Sequence, residues 1–332
     1  MAADATWHAF PETPVLAFRD RLDLRLDEGR LGLLGQDGDG VVDMARCPIA
    51  TDEVNAALAV LRADLPPVEL VPRASVRLRA RKGRVGLWLD VPHVGLKALL
   101  DEAGWLRRAT GRGWTVELGP KGRRYDEGLV APTLMGWSET FVDTPVELYT
   151  TVMGFSQPGA SVNRALVEAM LAAVDETDAS SALELGAGAG NLTLPLATRL
   201  DVVALELDIG PLTATLGHAQ RPALAARITP RAGSFHREAE VPELVASSYH
   251  GHPVELIVCD PPRSGLGTFL GGLATLSKRL RPAHLVYVSC HPEALAKDAA
   301  RLGELGYRLR SLRGVDQFPW TPHAEWVARF SR

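Results

Sequence analysis

Hydrophobic and polar residues alternate in short stretches of the first half of the chain. Residues 22–26 and 76–79 show this period of two, which predicts half-exposed β-strands. Between them, apolar residues recur at helical spacing over residues 51–65, and Thr51 precedes two acidic residues as a suitable N-cap, so this segment predicts a helix. We therefore expect residues 1–150 to form a small α+β domain.

The second half has a different pattern, in which continuous apolar runs are separated by helical stretches. A helix is predicted over residues 158–174. The strands are predicted at residues 182–185, 202–207, 256–258, 285–288 and 325–330. Buried strands that alternate with helices are typical of a parallel sheet covered on both faces. Residues 151–332 are therefore predicted to form a doubly wound, Rossmann-like α/β domain.

Composition agrees with a folded protein of two domains. The chain has 332 residues, of which 46% are hydrophobic and 23% charged. It contains no apolar run of about 18 residues that would predict a membrane span. The first residues lack a basic stretch followed by an apolar one, so we expect no secretory signal and a cytoplasmic location. The three cysteines are far apart, which argues against a disulfide framework and a metal site, and Cys47 and Cys259 are interpreted as buried apolar residues.

The charge is unevenly distributed along the chain. The net charge is -4, yet residues 73–124 contain 13 basic and 4 acidic side chains, against 23 and 36 in the remainder. A basic segment on an acidic body suits phosphate contacts that are confined to one surface. The alternative for this segment is an ordinary solvated charged face.

A glycine-rich turn follows the first predicted strand of the second half. Within residues 184–191, Gly186, Gly188 and Gly190 allow close approach of the backbone to a ligand, and the following helix start offers free N–H groups. Glu206, at the end of the next strand, is suited to accept hydrogen bonds from a ribose. Taken alone, the turn fits a dinucleotide, S-adenosylmethionine or a turn without a ligand.

Three further residues with reactive side chains adjoin predicted strands. Asp260 and the two prolines after it form a rigid loop at the carboxyl edge of the sheet, a pattern that favours methyl transfer to a nucleobase over hydride transfer. Cys290 follows another strand beside a helix start, which would favour a thiolate. Glu325, preceded by a histidine and aromatic residues, is compatible with a general base. Individually, a stiffened loop, a buried cysteine and a surface carboxylate would also explain them.

Together these motifs resemble the RNA uracil-5 methyltransferase family, which forms 5-methyluridine in tRNA and rRNA. The resemblance rests on Phe155-Ser156-Gln157, Gly190-Asn191-Leu192-Thr193-Leu194-Pro195, Asp260-Pro261-Pro262-Arg263, Ser289-Cys290 and His323-Ala324-Glu325, and extends more loosely to residues 32–48. It implies a class I catalytic domain with a mostly parallel sheet of seven strands, and an RNA-binding N-terminal domain. It also implies S-adenosyl-L-methionine as cofactor and tRNA or rRNA as partner. A monomer is expected by default.

The resemblance also implies roles for individual residues. The Cys290 thiolate would add to carbon 6 of uracil, carbon 5 would then take the methyl group, and Glu325 would remove the carbon 5 proton. The substrate would be bound by Phe155, Gln157, Asp260 and Arg263. The cofactor would be bound by Gln157, Glu184, Gly186, Gly188, Gly190, Asn191, Glu206 and Asp260.

Several positions depart from the family pattern. His291 stands where the family usually has asparagine, Gly159 replaces another asparagine, and Ala187 lies in a turn that usually reads aromatic-Cys-Gly. Only Cys47 lies where some members carry cluster-binding cysteines, so no iron–sulfur cluster is expected.

Three alternatives remain open from the sequence. One is methylation of cytosine in RNA or of a small molecule. Another is a non-catalytic RNA-binding protein that has kept a cofactor-binding fold. The third is an NAD-dependent oxidoreductase, suggested by the glycine-rich turn and Glu206.

Overall fold

The computed structural model describes residues 5–36, 38, 40–92, 96–141, 144–218, 222–248, 254–276 and 280–332. The strands are β1 (Thr6–His8), β2 (Arg21–Asp27), β3 (Arg30–Leu34), β4 (Val41–Asp43), β5 (Arg73–Arg81), β6 (Arg84–Asp90), β7 (Thr115–Leu118), β8 (Arg123–Tyr125), β9 (Leu129–Val130), β10 (Met135–Phe141), β11 (Thr144–Thr150), β12 (Ser181–Leu185), β13 (Asp201–Glu206), β14 (Ile228–Ala232), β15 (Leu256–Cys259), β16 (His284–Ser289), β17 (Arg308–Val315) and β18 (Glu325–Ser331). The helices are α1 (Asp52–Ala63), α2 (Leu96–Asp101), α3 (Gly104–Gly111), α4 (Ala160–Asp175), α5 (Thr193–Leu196), α6 (Gly210–Gly217), α7 (Pro222–Ala225), α8 (Val241–Ser248), α9 (Phe269–Thr275) and α10 (Pro292–Glu304). None of these helices has both the length and the apolar character needed to span a membrane.

The chain forms two compact units. The smaller unit contains Pro14–Ser138 and Tyr149–Ala160, and the larger unit contains Met1–Thr13, Glu139–Leu148 and Ser161–Arg332. This division differs from the expected single boundary at residue 150. Residues 5–13 belong to the larger unit because β1 pairs in parallel with β17, where Thr6 lies opposite Ser311.

The smaller unit is built on one sheet with helices on one face. Its strand order is β4-β3-β2-β5-β6-β7-β8-β9, and the pairing is antiparallel except between β6 and β7. The predicted alternation in β2 is confirmed, since its leucines are buried and the residues between them are not. The predicted helix is also confirmed as α1, whose N-cap Thr51 accepts a hydrogen bond from the Val54 N–H at 3.3 Å.

The larger unit has the predicted Rossmann-like α/β fold. Its strand order is β1-β17-β18-β16-β15-β12-β13-β14, with β12 to β16 parallel and β18 antiparallel to both of its neighbours. Successive strand residues enter separate cores on the two faces: Ala182 and Val258 on one, Leu183 and Cys259 on the other. Among the described residues the sheet has eight strands rather than seven, because β1 extends it.

The strand order determines where a ligand can bind. Starting from β12, the chain first adds β13 and β14 on one side and then returns to add β15 and β16 on the other. A crevice forms at such a reversal, outside the carboxyl ends of the two central strands, and ligands of doubly wound folds bind there. The start of β18 lies at the same edge because that strand runs antiparallel. The edge therefore collects residues from five segments that are distant in sequence.

Candidate active site at the carboxyl edge of the larger sheet

The glycine-rich turn follows β12 at this edge. Gly186, Gly188 and Gly190 have φ values of 76°, 56° and 99°, the left-handed region that side-chain-bearing residues rarely adopt. The Gly188 N–H donates to Oε2 of Glu206 at 2.8 Å, and Glu206 Oε1 accepts from the Asp208 N–H at 3.1 Å. The turn and the end of β13 are thus joined through one carboxylate, which keeps free lone pairs for a ligand hydroxyl.

Glu184 is a buried carboxyl at the same end of β12. Its pKa is raised to about 8, chiefly by burial; the Thr193 hydroxyl opposes the rise, and the negative charges of Asp260 and Glu206 contribute to it. Its Oε2 atom is buried and has no hydrogen-bond partner among the described residues. A buried oxygen of this kind fits a donor group brought by a ligand.

The side chain of Asn191 has a structural partner. Its amide forms two reciprocal hydrogen bonds with the amide of Asn163 on α4, at 2.8 and 3.0 Å. Asn163 is buried, and the pair ties the residue after the glycine-rich turn to the preceding helix. The expected contact of Asn191 with the cofactor stays a prediction, for which its amide keeps one N–H and one oxygen lone pair.

The strand register brings Cys290 and Glu325 together. Ser289, the last residue of β16, pairs with Trp326 of β18, so Cys290 and Glu325 are the next pair beyond the end of the ladder. Adjacent strands are about 4.8 Å apart, which places the two side chains within reach of one substrate. Asp260 follows β15, the neighbour of β16 on the other side, and therefore lies beside Cys290.

The charges at this cluster follow from burial. The pKa of Glu325 is raised to about 8, chiefly by burial and then by the charge of Asp260, while Arg263 opposes the rise. Burial also raises the pKa of Asp260 to about 7. The pKa of Cys290 is raised by burial and then by Glu325 and Asp260, while a hydrogen bond and the positive charge of Arg263 lower it.

The expected thiolate at Cys290 is therefore corrected by the structure. The sequence suggested that the start of the next helix would lower the pKa of this thiol. The raised pKa arises because two carboxyl groups from other strands, and burial itself, outweigh Arg263. Arg263 is the residue of this cluster that favours the thiolate.

Asp298 is a site residue that the sequence analysis missed. One oxygen of this buried carboxylate, Oδ2, accepts hydrogen bonds from the Leu266 N–H at 2.7 Å and from the Tyr287 hydroxyl at 2.9 Å. Leu266 lies in the loop between β15 and α9 that begins with Asp260, Tyr287 lies on β16, and Asp298 itself lies on α10. The carboxylate thus fixes the Asp260 loop to the two elements that flank Cys290. The sequence offered one signal for this residue: Asp298 lies at helical spacing with Leu295 and Leu302, the other buried residues of α10, so a buried carboxylate could have been expected there.

Two departures from the family pattern have physical explanations. His291 is the N-cap of α10, where its Nδ1 accepts a hydrogen bond from the Ala294 N–H at 3.2 Å. Asparagine is also a favoured N-cap, so an N-cap position is compatible with either residue. At Gly159 a Cβ atom would lie 2.1 Å from the Phe18 carbonyl oxygen, which leaves no room for any side chain.

Phe155 and Gln157 lie in the smaller unit. Phe155 is 73% exposed and Gln157 is buried. Their expected contacts with substrate and cofactor stay predictions. Cys47 and Cys259 are both buried, as interpreted from the sequence.

A solved structure shares this fold. The tRNA (uracil-54, C5)-methyltransferase of Pyrococcus abyssi, solved in complex with S-adenosyl-L-homocysteine, matches with a TM-score of 0.68 and 19% identity. The match covers 98% of this chain and 78% of that one. This likeness shows the fold.

Sequence relatives define the family. The model of the tRNA (uracil-5-)-methyltransferase family matches residues 147–330. An uncharacterized RNA methyltransferase of Bdellovibrio bacteriovorus is 34% identical over 95% of this chain and 81% of its own length. The 23S rRNA (uracil(1939)-C(5))-methyltransferase RlmD of Ralstonia nicotianae is 29% identical over 99% and 77%, respectively.

The chain therefore belongs to the tRNA (uracil-5-)-methyltransferase family. The expectation of an S-adenosylmethionine-dependent RNA (uracil-5-)-methyltransferase is confirmed at the level of the family.

Proposed function

We propose that this protein transfers a methyl group from S-adenosylmethionine to carbon 5 of a uridine in tRNA or rRNA, through a covalent adduct with Cys290. The observation that carries the proposal is the convergence of Cys290, Glu325 and Asp260 at one edge of the sheet. Relatives named as 23S rRNA enzymes make ribosomal RNA the first substrate to assay.

The nucleophile is the sulfur of Cys290. Carbon 5 of uracil is a weak nucleophile, and addition of a thiolate to carbon 6 converts it into an enolate carbon. Arg263 stabilises the thiolate, whereas burial and the two carboxyl groups oppose it. The carboxylate of Asp260 is suited to accept a hydrogen bond from the ring N–H of the base. Contacts of Gln157 and Phe155 with the RNA stay predictions.

The proton acceptor is Glu325. After methylation, carbon 5 carries both the methyl group and its original proton, and the carboxylate of Glu325 removes that proton. The electron pair of the broken C–H bond re-forms the double bond between carbons 5 and 6, and the Cys290 sulfur leaves carbon 6. A carboxyl group with a pKa of about 8 is a stronger base than an ordinary glutamate, which suits this step.

The cofactor would be held by the glycine-rich turn and its neighbours. When bound, S-adenosylmethionine supplies a methyl group on a sulfonium. The positive-φ glycines allow its close approach, Glu206 is suited to the ribose hydroxyls, and the unpartnered oxygen of Glu184 is suited to a donor group. Protection against thermal unfolding by S-adenosylhomocysteine, but not by NAD, separates this assignment from an oxidoreductase.

The reaction is tested on unmodified total RNA. We expect wild type with S-adenosylmethionine to produce 5-methyluridine, detected by mass spectrometry of digested nucleosides, and Cys290→Ala to produce none. Glu325→Gln should accumulate a covalent protein–RNA adduct that survives denaturation. Unmodified uridine with wild type, despite bound cofactor, would contradict the proposal and favour a non-catalytic RNA-binding protein. Formation of 5-methylcytidine instead would identify a cytosine enzyme.

Three accompanying expectations stay predictions. They are a cytoplasmic location, a monomeric state and the absence of an iron–sulfur cluster.

A further inference from the structure

Arginines are concentrated on one face of the smaller sheet. Because side chains alternate along a strand, Arg21 and Arg25 of β2 lie on the face opposite the leucine core. On β5, Arg73 and Arg77 share this face, since the register pairs Asp27 with Arg73 and Asp23 with Arg77. On these two strands the face carries six arginines and two aspartates. The basic character predicted for residues 73–124 is thus partly gathered on one surface.

At one end of this face the arginines bind a backbone segment of the same unit. Arg21 Nη1 donates to the Ser156 carbonyl oxygen at 2.6 Å, and Arg77 Nη1 donates to the carbonyl oxygens of Met153 and, at 3.1 Å, Gly154. The buried carboxylate of Glu117 accepts from the backbone N–H groups of Val152 and Met153 at 2.8 and 2.9 Å. These contacts hold the segment that carries Phe155.

Phe155 itself projects from this anchored segment. Its side chain is 73% exposed, and the Arg21 guanidinium carbon lies 6.0 Å from the ring centroid. An exposed aromatic ring on a fixed backbone, next to a cation, is suited to stack on an unpaired base.

At the other end the face is open. Arg25 and Arg73 are exposed and line a groove of about 450 Å³ with Ser75 and Leu34. Arg73 forms an ion pair with Asp27 at 2.8 Å, whereas Arg25 donates to the neutral Ser75 hydroxyl and keeps its charge uncompensated by that contact. Exposed guanidinium groups with a hydroxyl between them are suited to phosphate oxygens.

The two ends are connected along the strands. Arg25 lies four residues beyond Arg21 on β2, a distance of about 13 Å at about 3.3 Å per residue. Arg73 lies equally far from Arg77 on β5 in the same direction, because the two strands are antiparallel. Arg21, Arg77, Arg25 and Arg73 thus form an arginine track, whose first two members hold the segment that carries Phe155. We infer that the open end of this track, Arg25 and Arg73, binds the backbone of single-stranded RNA flanking the base at Phe155. The inference rests on the proposed function for the identity of the nucleic acid.

The test compares two double variants with equal charge changes. Arg25→Gln/Arg73→Gln removes the open end of the track. Arg46→Gln/Arg107→Gln removes two exposed arginines elsewhere on the smaller unit, one of which is also ion-paired, Arg46 to Asp52 at 3.1 Å. The probe is a fluorescent oligouridylate of about 12 nucleotides, a length typical of single-strand binding sites. Its affinity is measured at several salt concentrations.

We expect the track variant to bind the probe at least about fivefold more weakly than wild type, and the control variant to bind it unchanged. The slope of log affinity against log salt should fall by about 1.4, the value for two lost phosphate contacts to a single strand. Arg25→Lys/Arg73→Lys should restore most of the affinity, which a loss of folding would not allow. Equal weakening in both glutamine doubles, or none in either, would overturn the inference.

The same proteins are assayed for 5-methyluridine in total RNA. If wild type forms the product but the track variant binds the probe normally, the inference that the track binds RNA is wrong and the proposed function stands. If wild type forms no product, the proposed function fails, and the salt dependence still decides whether the track binds RNA.

Discussion

Replacement of Glu325 by glutamine should make the protein more stable at alkaline pH. Glu325 is 5% exposed, and its pKa is raised from an ordinary 4.5 to about 8, mainly by burial and also by the charge of Asp260. Between these two values the folded protein keeps a proton that the unfolded chain has released. The free energy of unfolding therefore falls as the pH rises through this window. Above pH 8 the folded protein bears the full cost of keeping an ionised Glu325 buried. A glutamine side chain does not ionise, so the Glu325→Gln variant does not lose stability in this way.

The magnitude follows from the difference between the two pKa values. At 1.36 kcal/mol for each pH unit, burial of this ionised carboxylate costs at most about 5 kcal/mol. Asp260 titrates in the same range and Arg263 remains charged, so we expect relaxation of the cluster to leave about 2 kcal/mol. For a domain of this size each kcal/mol shifts Tm by about 2–4 °C, which gives about 4–8 °C.

The assay is thermal unfolding of the protein alone from pH 5 to pH 9. The Tm of Glu325→Gln minus that of wild type should increase by about 4–8 °C across this range. Glu168→Gln on α4 is the control, because it removes a carboxylate whose side chain is exposed rather than buried. A Tm difference for Glu325→Gln that is independent of pH would show that this carboxyl group does not titrate as argued.

Three further outcomes follow from the site. The kcat/KM for methyl transfer should rise with pH to about 8, because Glu325 must be ionised to accept a proton; a flat profile from pH 6 to 9 would contradict its role. Asp298→Ala leaves two buried donors unpaired and should lower the free energy of unfolding in urea by about 2–6 kcal/mol. Tyr287→Phe removes one of these hydrogen bonds and should lower it by about 1 kcal/mol. Equal losses in the two variants would contradict the link between Asp298 and the Asp260 loop. Gly190→Ala, at φ 99°, should lower the free energy of unfolding by about 1–3 kcal/mol and weaken S-adenosylhomocysteine binding in calorimetry. Gly217→Ala on α6, where a Cβ atom would have no steric neighbour, should be neutral or stabilising. Similar effects of the two substitutions would contradict a role of the positive φ at Gly190.

Much of the larger unit could be read from local sequence. The apolar runs predicted β12, β13, β15, β16 and β18 to within one or two residues, because burial on both faces leaves no polar positions in such strands. Since parallel strands end at one edge, their order in the chain was enough to bring the glycine-rich turn, Asp260 and Cys290 together.

Short or unpatterned elements could not be read in this way. Strand β1 has three exposed residues and forms only because β17 offers it an edge about 300 residues later in the chain. Residues 151–160 were expected in the second domain but belong to the smaller unit. Carboxylate and guanidinium contacts from that unit hold them, and such contacts leave no hydrophobic period in the sequence.

The sequence by itself determined the buried strands of the larger unit, the α1 cap and the family, since these depend on hydrophobic period and on residues adjacent in the chain. It also predicted which residues are reactive. Only the tertiary structure decided their chemical state. The pKa of Cys290 is raised rather than lowered because burial and the carboxyl groups of Asp260 and Glu325 outweigh the nearby Arg263. The link through Asp298 likewise joins three elements through a single carboxylate oxygen. Electrostatic and hydrogen-bond energies depend on distance in space, and that distance is set by folding, not by separation along the chain.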